Sequence, residues 1–127
     1  MTIDEAIHLA DELCPNTVMR TMKLQWLSRL DQRIYREIYN GHIDEEMPAE
    51  MPAYDVDTDP DTVLLAKAPH DEIYRHYLEM QIHLANMELE KYNNAAMLYA
   101  NDWQTFAREY HRDHKPVTGN GCLYHQF

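Results

Sequence analysis

Serine occurs once in these 127 residues and glycine three times, two of the glycines close to the C-terminal end. A backbone that cradles phosphate needs glycines in a tight loop, and neither a P-loop nor a GxGxxG spacing can be assembled from these. The single serine, Ser28, falls in mid-helix and outside any GxSxG elbow, so nucleophilic catalysis finds no foothold. Cysteine is limited to Cys14 and Cys122, near opposite ends, with no CxxC and no zinc-ligand set. Both are expected to be structural or idle thiols of a reducing compartment. Lys and Arg total 11 against 22 Asp and Glu, for a net charge of −11. That balance argues against a protein whose main task is gripping nucleic acid, because such binding rests on cations that neutralise phosphate. No apolar run approaches the length of a membrane span, so no membrane partner is expected. The acidic, amphipathic start MTIDEAIHLADEL lacks the basic, apolar pattern of a signal peptide, which makes a cytoplasmic origin the expectation.

What is present is mostly helical pattern, and the length suits one domain. We expect an all-α fold, a small helical bundle with an extended acidic arm. Ile3, Ala6, Ile7, Ala10 and Leu13 share one face, and Thr2 with Glu5 has capping-box spacing, so a first helix is expected over Ile3–Leu13. A second is expected from about Thr17 to Tyr39, with an apolar stripe of Val18, Met22, Trp26 or Leu27, Leu30, Ile34 and Ile38, stopped by Asn40-Gly41. It carries Arg20, Lys23, Arg29, Arg33 and Arg36, five of the eleven bases. Residues 1–41 thus form an N-terminal helical pair.

Residues 42–69 form the arm. Its first part, HIDEEMPAEMPAYDVDTDPD, has eight acids, three prolines and no base, and reads as a long exposed loop. TVLLAKAP (62–69) is expected to tuck against the helices as an extended segment, its pairing open to the arm or to another copy. Residues 70–114 form a long helical region, and 115–127 a tail. If 71–113 were one helix it would be about 65 Å long, roughly twice the width of a domain of this size. Two arrangements are open. Either a turn at Tyr92-Asn93-Asn94 folds the region into a hairpin, or the helix continues and both carboxamides serve a protein interface.

Aligned acids Asp55, Asp57, Asp59 and Asp61 look like the start of an EF-hand loop. Pro60 and Ala66, however, occupy the positions that need Gly and a bidentate Glu, so a solvated acidic loop is the better reading. Eight histidines supply one ExxH, Glu5 to His8, and pairs such as Glu79/His83 and His111/His114. A helical di-metal site needs a second ExxH and two further glutamates, so no metal or other cofactor is expected. Nine tyrosines and two tryptophans exceed what packing of so small a core asks for, and some are expected to face partners.

Three stretches carry a resemblance: NTVMRTMKLQWLSRLDQRIYREI with Asp31, the string PDTVLLAKAPHDEIY, and EKYNNAAMLYANDWQTFAREYHR. Together they resemble small head–tail connector (adaptor) proteins encoded by tailed phages and prophages of Gram-positive bacteria, over about four-fifths of the chain. The resemblance implies a non-enzymatic virion protein, made in the host bacterial cytoplasm. It would assemble as a dodecameric ring beneath the portal protein, extend the DNA channel without specific DNA binding, and dock the next head-completion or tail protein. Contact residues expected on this basis are Tyr92, Asn93, Asn94, Trp103, Asp55, Asp57, Asp59 and Asp61. The rival reading is a small regulatory module that binds nucleic acid through the basic second helix.

Overall fold

The computed structural model describes residues 1–39, 48 and 50–113. The expected Asn40-Gly41 stop, most of the arm before Glu50, His114, Cys122 and the C-terminal tail lie outside these residues. The fold is all-α. Among the described residues four helices follow in order: α1 (Ile3–Leu13), α2 (Arg20–Ile34) continued by a π-helical turn (Tyr35–Tyr39), α3 (Glu72–Ala85) and α4 (Leu89–Asp113).

Helix α1 begins where its capping box places it. Thr2 Oγ1 accepts from the Glu5 amide at 3.1 Å, and the Glu5 carboxylate accepts from the Thr2 amide. The next two free amides are met by the arm: Ile3 N–H donates to Thr62 O and Asp4 N–H to Pro60 O. Leu64 N–H donates to Met1 O, and Thr2 and Val63 form an isolated antiparallel bridge. The expected extended segment therefore pairs with the chain's own N-terminus, rather than with the rest of the arm or another copy. A helix start has four orphan donors, and this strand-like contact satisfies two of them.

In α2 the buried stripe is Leu24, Trp26, Leu27, Leu30 and Ile34, with Ile38 following in the π-helical turn. Met22, expected inside, is 40% exposed, and Leu24 takes its place. The wider π-helical turn rotates Tyr39 inward beside Ile38, where its ring stacks on Tyr110 at 4.7 Å and its hydroxyl donates to Leu65 O at 2.7 Å. Lys23, expected on the surface, is buried and pairs with Asp11 at 2.7 Å. Its four-carbon stem packs with the apolar residues while the ammonium reaches a half-exposed carboxylate.

The long helical region is a hairpin, but the turn is not at Asn93-Asn94. It falls six residues earlier, at Asn86-Met87-Glu88. Met87 adopts φ 59°, Met87 N–H donates to Leu84 O, and Glu88 N–H donates to His83 O. These two bonds make a Schellman motif, whose left-handed position is usually glycine. Helix α4 then runs through Asn93 and Asn94 without a break. The hairpin is joined to the core by an aromatic face of α4. Tyr92, Tyr99 and Trp103 are half-buried, and Phe106 and Tyr110 are fully buried against Tyr39 and His70. No described helix is long and apolar enough to cross a membrane.

Candidate interaction surfaces

The most deeply buried polar side chain among the described residues is that of Asp31. Asp31 is completely buried on the apolar face of α2. Its carboxylate accepts from the Tyr54 hydroxyl, from the Tyr74 hydroxyl at 2.6 Å and from Leu65 N–H at 3.2 Å. Tyr74 in turn accepts from Ala66 N–H at 2.6 Å. Ser28 closes the network from the same helix: its hydroxyl accepts from Tyr54 N–H at 2.6 Å and donates to Tyr54 O. One carboxylate thus ties α2 to α3 and to the arm on both sides of its acidic tip. Burial without a facing cation holds the carboxyl above its ordinary value, against the opposing pull of the three donors. Both tyrosine hydroxyls are pushed up as well, first by burial and then by the Asp31 charge. The arm is therefore less of a free loop than its composition implied, since Tyr54, Leu64 and Ala66 are all buried.

Between these anchors the four aspartates form the exposed tip. Two of them shape it. Asp55 Oδ1 accepts from Asp57 N–H and Asp59 Oδ1 from Asp61 N–H, both at 2.9 Å, which are Asx turns. Asp57 and Asp61 project with no cation partner among the described residues. Exposed acids on α1, namely Asp4, Glu5, Asp11 and Glu12, extend the negative surface.

The basic helix is largely engaged internally. Arg20 pairs with Asp4 at 3.1 Å, and Lys23 is buried on Asp11. Arg33 pairs with Glu37, donates to the Tyr99 hydroxyl at 2.9 Å and lies 3.8 Å above the Trp103 ring. Arg29 and Arg36 are exposed and have no carboxylate partner among the described residues. Two cations spread along one helix make a poor grip for a phosphate backbone. Trp103, expected to reach outward, spends its face on Arg33.

Helix α4 presents the third surface. From Tyr92 to Ala107 the sequence holds one charged residue, Asp102, and that residue is turned inward onto His76 Nδ1. Asn93, Asn94, Met97, Leu98, Asn101 and Gln104 are all exposed on the outward side. The two asparagines therefore sit on the surface of α4, which continues past them, while the region as a whole still folds into a hairpin at Asn86-Met87-Glu88.

A cluster overlooked in the sequence pins α1 to the hairpin. Cys14 Sγ lies 3.5 Å from His83 Nε2, and His83 Nδ1 lies 3.1 Å from Glu88 Oε1. A thiol, an imidazole and a carboxylate in a row invite a nucleophilic reading. Burial, reinforced by the neighbouring Glu79 carboxylate, pushes the Cys14 thiol up to about 11, the reverse of what a reactive thiolate needs. Among the described residues no group of three or more His, Cys, Asp and Glu is arranged to hold a metal ion. Only the i, i+4 spacing of Glu79 and His83 was visible in sequence; the approach of Cys14 comes from α1 packing on α3.

Comparison of the chain with protein-family models, with curated proteins and with solved structures finds no match.

Proposed function

We propose that this protein is a head–tail connector. In this reading it is a structural virion component that assembles as a ring between the portal protein and the tail and continues the DNA channel. The observation that carries the reading is the partition of the surface. An acidic side of α1 and the arm tip, two arginines on α2 and its π-helical turn without a carboxylate partner among the described residues, and an uncharged face on α4 lie on one bundle. A chain with unlike surfaces on different sides is suited to head-to-tail packing, which closes into a ring when the rotation allows. The resemblance in the Asp31 region, the PDTVLLAKAPHDEIY string and α4 supports the same reading. The net charge of −11 suits a channel through which DNA slides without sticking.

The test is to mix the chain with the portal protein encoded in the same genome and weigh the product by native mass spectrometry. The expected result is a full set of copies on each portal ring. A closed portal ring that takes up no copies would overturn the proposal.

A further inference from the structure

The face of α4 from Asn93 to Gln104 has no task inside the bundle. Its inner side already supplies the contacts that hold the hairpin, through Ala95, Tyr99, Trp103 and Phe106. The outer side is nevertheless distinctive in composition. Over this length every exposed residue is uncharged, while the exposed side of α1 carries Asp4, Glu5, Asp11 and Glu12. Solubility alone would favour charge on an outward helix face, and Lys91 and Arg108 supply it immediately before and after the stretch. Two asparagines in the second turn of the helix also sacrifice helix propensity without capping anything.

We infer that this face of α4 is the surface on which a second copy of the chain docks, an inference that rests on the proposed ring assembly. Charge selects the occupant. Between two chains of −11, a contact built on uncharged groups avoids the strong penalty on like charges brought together at an interface. A nucleic acid would find no cation along the strip, and a basic partner would find its match on α1 and the arm tip instead. Carboxamides suit a contact between copies because each both donates and accepts, so Asn93, Asn94, Asn101 and Gln104 can pair with backbone or side-chain groups of either kind. Met97 and Leu98, 61% and 47% exposed, supply the apolar centre. Arg29 and Arg36 on one side of the chain, and Asp57 and Asp61 on another, all without an ion-pair partner among the described residues, give successive copies a preferred direction.

Size sets the strength. The strip is about 17 Å long and about 10 Å wide, roughly 170 Å² on each copy and well below the area of a standard specific interface. The contact is therefore weak between two free copies and gains force when neighbours are held side by side on a template.

The experiment is sedimentation of the full chain alone, up to about 1 mM, a range chosen for a weak contact of this size. Wild type is compared with Met97→Glu and with Thr21→Glu, which adds the same charge at an exposed position on α2. Wild type and Thr21→Glu are expected to associate alike as concentration rises, and Met97→Glu to lose about tenfold or more in association constant, all three melting at the same temperature. Wild type that stays monomeric throughout, or Met97→Glu that associates as wild type does, overturns the inference. The portal experiment reads the parent proposal separately. Association through α4 in a chain that ignores the portal removes the connector and leaves this contact. Full portal occupancy by Met97→Glu removes this contact and leaves the connector.

Discussion

The surroundings of Asp31 and the outward face of α4 are both polar, and they treat polarity in opposite ways. Around Asp31 a carboxyl is taken fully out of water, and three donors close on it, two from the arm and one from α3. Along α4 the polar groups are neutral, exposed and left to solvent. A buried carboxylate is costly unless every lone pair is used, so it imposes one arrangement on α2, the arm and α3. Exposed carboxamides impose nothing on the fold and stay available to a partner. The same chain thus uses a buried carboxyl where the answer must be unique, and avoids charge where another molecule is to be met.

Several substitutions test this contrast, and the largest effect belongs to the interior. Asp31→Ala leaves two tyrosine hydroxyls and the Leu65 amide without their acceptor, and is expected to cost about 4 kcal/mol by chemical denaturation. A loss no greater than that of an exposed substitution would show that the network is incidental. Asp31→Asn sharpens the same point through pH. Because burial raises the Asp31 carboxyl above 3.8, the folded chain holds that proton more tightly than the unfolded chain. The associated stability is full below pH 3.8 and is lost as pH rises through the raised value. The stability of wild type minus that of Asp31→Asn should therefore fall with rising pH across that window. A difference that grows with pH would mean that the three donors outweigh burial.

The smallest effect is expected at the hairpin turn. Met87 is 84% exposed and holds φ 59° without glycine's freedom. Met87→Gly removes the steric cost of the left-handed conformation and should raise stability by roughly 0.5–1 kcal/mol, against a smaller entropic loss. A destabilised Gly variant would place the turn's strength in Met87 contacts rather than in its backbone.

Much of the fold was legible because helices announce themselves locally. The Thr2/Glu5 capping box and the 3–4 spacing of Ile3 to Leu13 place α1 at the observed bounds. The 3–4 spacing of Tyr92, Tyr99, Trp103, Phe106 and Tyr110 marks the inward face of α4, although the resemblance points to Tyr92 and Trp103 as partner contacts. The turn was misplaced because its signal is nearly silent. The left-handed residue is Met87 rather than glycine, and the stripe of Ile73, Tyr77, Met80, Leu84 and Met87 keeps its phase to the end. Its last two members, however, run out of the bundle at the hairpin tip. Asn93 and Asn94 drew attention as poor helix formers, yet a helix anchored by Tyr99, Phe106 and Tyr110 overrides two weak propensities. Asp31 carried a readable signal. It falls in phase with Leu24, Leu27, Ile34 and Ile38, so a carboxylate was already on the apolar face before any partner was known.

Sequence alone determined which faces are apolar, where α1 begins, that the chain is strongly acidic and that α4 is nearly free of charge. These follow from residue order and helical period, which need no knowledge of neighbours. Tertiary structure decided what Asp31 binds, that the arm returns to the N-terminus, that Arg33 covers Trp103 and that Cys14 meets His83. Each joins residues that are from 23 to 70 positions apart in the sequence. Local propensity has no term for such pairs, which form only because burying the helices' apolar faces brings their polar flanks together.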